Sequence, residues 1–447
     1  MAPFARLSLF VLALVAAAAA SGPAAAAENT RYVTQAGDSG AGSFRAAVGA
    51  ANANHRVERI VFAQGLRVVV ASDVVYTGRQ ALSIFGNGSQ IEGDPAAPPA
   101  PTWNGGLFVS KGGANLSIAS LAFLNSFNNG IGVFVPAQRA GIVSLHLHDV
   151  SVIAARFHGV FFDGQLTPGF DTDDVLHPNC VDPHPADGPA SLALGVVNST
   201  ISGNGTLAGG FDTGTEFEVN GETFLTGCPS DFDGVRVDDG GLGEIKSTVW
   251  HSRFEENLAD GIELDERGAG GVHLTAVGSR IAANGETGTA DADDGIDLDE
   301  ADGGDVSAFL ISVEVLGNFD EGIDVSEAGT GSVLVVLDRV DASANEDEGF
   351  KADELGAGDL TVKLFSSRIN GSLSQDGVEL VEGGAGNLSA LFVGAQVREN
   401  DDAGILAAQE SPGVGMLKAV ASDFTGNGDS SLDLTGVGAE LSDTLTD

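Results

Sequence analysis

The chain has 447 residues, 43% of them hydrophobic, and carries 21 Lys plus Arg against 63 Asp plus Glu for a net charge of −42. That balance excludes an electrostatic nucleic-acid binder and disfavours anionic membrane surfaces, so divalent cations are the natural partners. The hydrophobic share is too large for an acidic disordered chain, and the sequence is expected to fold.

Residues 1–27 read as an export signal: Arg6 supplies a positive start, "LSLFVLALVAAAAA" an apolar run, and Ala25, Ala26 and Ala27 a small-residue cleavage site. The mature chain, 28–447, is expected to be one domain, secreted or periplasmic. No later apolar run reaches the roughly 18 residues a membrane span needs, so no membrane insertion is expected after cleavage. The segment "VTQAGDSGAGSFRAAVGAAN" at 33–52 then predicts a strand and a short helix. Ser43 is placed to cap the helix N-terminus, with Phe44, Ala47, Val48 and Ala51 along one face.

A Gly-centred step recurs along the chain. Gly130 and Gly159 are 29 residues apart, and from Gly234 the series runs Gly261, Gly295, Gly322, Gly349, Gly377 and Gly404 at spacings of 27, 34, 27, 27, 28 and 27. A period of about 27 with one insertion near 285–291 follows. An Asn stands four residues before the Gly at Asn257, Asn318, Asn345 and Asn400; Asn284, Asn204 and Asn427 extend that series. Between Gly159 and Gly234 the period breaks, which predicts loop excursions near 164–189 and 206–231. Each excursion holds one cysteine, Cys180 and Cys228. In an oxidising compartment the two can form a disulfide; two free thiols are the alternative. Mass spectrometry of non-reduced peptides from exported protein is expected to recover the linked pair, and two free thiols would refute the pairing. The first excursion also contains "DTDD" at 171–174 with His177, Asp182 and His184, either a polar loop or a cation site.

Each unit reads as two strands separated by Gly-rich turns. In "DDGIDLDE", 293–300, alternation sends Ile296 and Leu298 one way and Asp297 and Asp299 the other; the second run, as in "SVLVVLDRVDASAN", is longer and β-branched. One unit cannot bury its apolar side alone, so the units must stack, which predicts a solenoid of parallel strands.

The recurrent step, the turn Asn and the Gly-rich second turn resemble the right-handed parallel β-helix proteins related to pectate lyases. The N-terminal segment is similar to the "DSG-GSLR-AI-AN" start of secreted bacterial members. The resemblance implies an all-β, right-handed parallel β-helix of about 27 residues per coil, a short N-terminal capping helix and a stacked asparagine ladder inside. It implies little about activity, because such scaffolds host lyases, hydrolases, adhesins and structural proteins.

Counted from the repeat Gly, the second and fourth residues form outward columns: Arg236, Glu263, Asp297, Asp324, Lys351 and Glu379, and Asp238, Asp265, Asp299, Ser326, Asp353 and Val381. Carboxylates at strand spacing repel, and salt screening, shared protons or bound cations can relieve them. Oxygen-only donors suit Ca²⁺, with Asp238, Glu263, Asp265, Asp297, Asp299, Asp324 and Asp353 as candidate ligands; an open, solvated acidic face is the alternative. A third column, Arg253, Arg280, Glu314, Asp341 and Arg368, reads as a structural ion-pair ladder. If the chain is an enzyme, the resemblance implies a polysaccharide lyase or hydrolase, with Lys351 first and Arg236 second as base; the surrounding carboxylates oppose that role by raising a lysine pKa. The sequence therefore predicts a secreted, monomeric β-helix protein interacting with extracellular or cell-surface polysaccharide through a cation-binding acidic face. A Ca²⁺-dependent lyase or glycoside hydrolase and a non-catalytic structural protein are the other readings.

Overall fold

The computed structural model describes residues 29–96, 104–164, 188–205, 216–219, 222–225, 232–285, 293–410 and 412–446. The export signal, Cys180, Cys228 and the 171–184 acidic and histidine segment lie outside the described residues.

Alternating apolar residues and a Gly turn in every repeat produce strands that stack in parallel, coil on coil. The short strands form a twelve-stranded sheet whose spatial order is their order in the chain. Its register is the one the Gly column predicts. Val160 pairs with Val235 across the excursions, and Ile262 pairs with Ile296 across the 34-residue spacing. The longer run departs from the two-strand expectation. It is divided, as in Val272–Val277 and Arg280–Ala282, at a residue in the left-handed region, here Gly278 with φ 59°. These strands and the N-terminal strands Leu82–Gly93, Leu116–Leu124 and Gly141–Ile153 make up a 22-stranded sheet. Successive strands joined this way in one parallel sheet wind right-handed. The chain is an all-β, right-handed parallel β-helix with three strands per coil. Part of the second excursion, Glu216–Val219 and Glu222–Leu225, is an antiparallel hairpin rather than a plain loop.

The core lies between the sheets, and each coil contributes its inward apolar residues, such as Ile296, Leu298, Val306, Ala308, Leu310 and Val315. At the N-terminal end the helix Phe44–Ala53 closes that core. Ser43 Oγ accepts the Ala46 N–H at 3.1 Å, and Phe44, Ala47, Val48 and Ala51 are buried, with the Phe44 ring 5.3 Å from that of Phe62. The turn asparagines are buried and bonded in series. Asn204 donates from Nδ2 to Asn257 Oδ1 at 2.8 Å, Asn257 to Asn284 at 2.9 Å, Asn284 to Asn318 at 3.0 Å and Asn318 to Asn345 at 2.9 Å. In the 28-residue coil Ser372 takes the asparagine's place, and the series resumes from Asn400 to Asn427 at 2.9 Å. The repeat Gly is required by this close packing: a Cβ on Gly295 would fall 2.6 Å from Asn318 Nδ2 and 2.5 Å from Gly322 O. Outside, the ion-pair ladder forms, with Arg280 on Glu314 at 2.9 Å and Arg368 on Asp341 at 2.8 Å.

Candidate cation-binding site

The alternation that buries Ile262, Leu264, Ile296 and Leu298 turns the second and fourth residues of each short strand away from the core. The face they form is not uniformly open. Arg236, Asp238, Glu263 and Asp265 are each no more than 3% exposed, whereas Asp297, Asp299, Asp324, Lys351 and Asp353 are half-buried. The open, solvated face that the sequence left as the alternative is therefore absent around Arg236 and Glu263. In the first two coils a buried guanidinium holds the carboxylates together. Arg236 Nε donates to Asp238 Oδ1 at 2.9 Å and Nη1 to Glu263 Oε2 at 2.6 Å, with oxygens of Asp233 and Asp265 each 3.8 Å away. Burial pushes the Asp238 carboxyl up to about 6, and the Arg236 charge opposes the shift.

Further along, Lys351 Nζ donates to Glu321 Oε1 at 2.7 Å and to Asp324 Oδ2 at 2.8 Å. Burial alone would lower the Lys351 pKa, but the Asp324 and Glu321 carboxylates outweigh it and raise the pKa. Asp324 stands at about 6, raised by burial against the pull of Lys351; Asp353 stands at about 7, raised by burial and then by Asp324. Both residues nominated as a base are thus bound into carboxylate clusters that favour the protonated form.

Carboxylates that can share one ion occur in five groups among the described residues, each with oxygens within 4.8 Å of one another. One, Asp238, Glu263 and Asp265, consists of sequence-predicted ligands. The others are built around the acid that precedes the repeat Gly: Asp233, Asp260 and Glu263; Asp294, Asp320 and Glu321; Glu321, Asp347 and Glu348; Glu348, Asp376 and Glu379. Sequence reasoning missed that column although an Asp or Glu stands directly before the Gly at all six positions from Gly234 to Gly377. Part of its work is structural: Asp233 Oδ1 accepts the Asp260 N–H at 3.1 Å, and Asp376 Oδ1 accepts the Ala403 N–H at 2.7 Å. Asp294 differs. It is 9% exposed, its Oδ1 has no donor, and burial followed by the charges of Glu321 and Asp260 raises its pKa well above the usual carboxylate range. Asp320 beside it is pushed up to about 9 by burial and the Glu321 charge, and Glu348 to about 9 by burial and the same charge.

A second acidic column was also missed. Carrying the alternation two residues beyond Leu298 places Glu300 on the inner side, and Asp239, Glu266, Glu300, Glu327, Glu354 and Glu382 are all buried. One oxygen of Asp239, Glu300, Glu327, Glu354 and Glu382 is held by the glycine turn that follows. Glu300 Oε1 accepts the N–H groups of Gly303 and Gly304 at 2.8 and 2.9 Å, and Glu327 Oε1 those of Gly329 and Gly331 at 2.8 and 2.9 Å. The other oxygen of Glu300, Glu327 and Glu354 is buried without a donor, and the carboxyls of neighbouring coils meet one another there.

No family model matches the chain, and no curated protein matches it. Similarity to solved structures is low in identity. The periplasmic alginate epimerase AlgG is 11% identical over 86% of this chain and 76% of its own, with a TM-score of 0.42. The pectate lyase Pel9A is 13% identical over 79% of this chain and 80% of its own, with a TM-score of 0.41. The A-module of the Azotobacter vinelandii mannuronan C-5 epimerase AlgE4 is 13% identical over 89% of this chain and 92% of its own, with a TM-score of 0.37. At this level of likeness none of them carries an argument about activity. The fold assignment stands on the strand register of this chain, which is that of a right-handed parallel β-helix.

Proposed function

We propose that the mature chain, exported after loss of residues 1–27, is a carbohydrate- or surface-interacting β-helix protein whose acidic sheet binds Ca²⁺. The observation behind this reading is the Asp294, Asp320 and Glu321 group, with the donorless Oδ1 of Asp294 buried beside two further carboxylates. Oxygens within 4.8 Å of one another fit around an ion whose oxygen ligands lie at about 2.3–2.6 Å. A bound cation would add, beside Asp294 and Asp320, positive charge to that which Lys351 already supplies to Glu321 of the same group. It would also allow an acidic polymer to approach a face that otherwise repels it.

Millimolar Ca²⁺ is expected to raise the melting temperature above that in NaCl of matched ionic strength. At a concentration about tenfold above Kd, linkage adds about 1.4 kcal/mol. The increment should shrink in Asp294→Asn and in Asp297→Asn/Asp299→Asn protein. Equal melting in the two salts would mean screening alone, and a solvated acidic face. Incubation with polyuronates and neutral glycans, with and without Ca²⁺, tests the carbohydrate part through retention of the protein on the polymer. New unsaturated ends would assign a lyase instead, and new reducing ends a hydrolase.

A further inference from the structure

We propose that the outer face of the long-strand sheet is an interface between two copies of this chain, which departs from the monomer expected from sequence. The face is formed by the outward residues of seven paired strands: Ile245–Trp250, Val272–Val277, Val306–Ile311, Val333–Asp338, Leu360–Phe365, Leu388–Val393 and Gly415–Val420. Their inward residues already fill the core. A sheet with one solvated face should therefore be polar at every other position, but "VLVVL" at 333–337 is apolar on both sides, the pattern of a sheet covered on both faces. Phe309 and Ile311, Val336, Phe365, and Leu391 and Val393 lie in two registered columns across four coils, Lys363 interrupting one column and Asp338 the other, and Phe309, Trp250 and Val420 are 37%, 39% and 40% exposed.

Charge is distributed in the same sense. In a chain with 63 acids, Asp338 is the one carboxylate at the outward positions of these seven strands, against Lys246, Lys363 and Lys418. The acidic columns belong to the other sheet, across the core. Pairing through the long-strand face keeps those columns apart, whereas any contact through the acidic sheet would bring them together. A centre of Phe309, Val336, Phe365, Leu391 and Val393 around Lys363, almost free of acids, with the Arg280 and Arg368 ion pairs along its edge, has the aromatic and aliphatic content of a protein interface. The patch carries both signs, which suits a self-complementary two-fold contact. Seven strands about 4.8 Å apart and six residues long cover roughly 34 by 20 Å. That is roughly 700 Å² per copy and about 1,400 Å² for a pair, inside the range of stable interfaces.

The test is sedimentation of the mature, exported protein from low to high micromolar concentration in EDTA, so that cation bridging plays no part. The expected result is a dimer whose association strengthens in added NaCl, because salt screens the repulsion between two strongly acidic copies while leaving the apolar contact. Phe309→Glu and Leu391→Glu, both at outward positions, should sediment as monomers with unchanged circular dichroism and melting. A wild-type monomer at every concentration overturns the proposal, as does a dimer that survives in both variants or dissolves in NaCl. A monomer that instead co-sediments with anionic vesicles through the same two residues would also overturn it, and would assign the face to a membrane. The Ca²⁺ reading can fail or hold independently of all these outcomes.

Discussion

Asn318→Ala is expected to destabilise the protein by about 2–3 kcal/mol, read from the urea midpoint at constant slope, because the buried Asn284 N–H loses its partner while Asn284 Nδ2 and Asn345 Oδ1, which keep Phe254 O and the Asn318 N–H, each lose one of two bonds. Asn318 Oδ1 accepts both the Asn284 backbone N–H at 3.1 Å and its Nδ2 at 3.0 Å, and Asn318 Nδ2 donates to Asn345 Oδ1 at 2.9 Å. No water-exposed alternative exists for these groups, since Asn284 and Asn345 are fully buried. Asn345→Ala should behave alike. Asn387→Ala is the control: Asn387 is exposed and its Nδ2 bonds Asp359 at 2.9 Å outside the ladder, so its loss should cost well under 1 kcal/mol. Wild-type midpoints in both ladder variants would refute the interior register.

Stability is expected to fall by several kcal/mol as pH rises from about 5 to about 9, the second large effect. Burial, ahead of the neighbouring carboxylates, raises Glu266 to about 9, and burial raises Glu300 and Asp239 to about 7. In the unfolded chain these acids titrate near about 4.5, so between the two values the folded state holds protons that the unfolded state has released. Their contribution is fully present below the unfolded pKa and is lost as pH climbs through 7 to 9. Glu321 works in the opposite direction, since Lys351 outweighs its burial and lowers its pKa, but it is a single group against a column. Glu300→Gln should flatten the profile. Its amide oxygen can still accept from Gly303 and Gly304, while its NH₂ donates to a neighbouring carboxylate without needing a shared proton. The last position of the column already carries an amide in place of a carboxyl: Gln409 Oε1 accepts the Leu388 N–H at 2.9 Å and its Nε2 donates to Gly386 O at 3.3 Å. Melting temperatures measured from pH 5 to 9 decide the matter, and a flat wild-type profile would rule out proton sharing among these carboxyls.

Period, alternation and turn chemistry are local and repetitive, so the sequence alone determined the coil length, the Asn column, the helix capped by Ser43 and the Arg280 and Arg368 ion pairs. A 27-residue repeat can bury its apolar side only by stacking, and stacking in register brings equivalent residues together. Tertiary structure decided what depends on how deep a residue lies and on what reaches it from another coil. Arg236 and Lys351 look like isolated cations in an acidic run, yet the first is buried among four carboxylates and the second reaches back to Glu321 and Asp324 of the preceding coil. Glu300 reads as one more surface acid, although alternation already pointed it inward; its burial is possible only because the glycine turn closing that strand aims two N–H groups at its carboxylate. The acid before each Gly was legible as a letter but not as a ligand, because whether Asp294 meets Asp320 and Glu321 depends on the separation of oxygens contributed by different coils. Composition and period do not encode such distances; they arise when the coils stack.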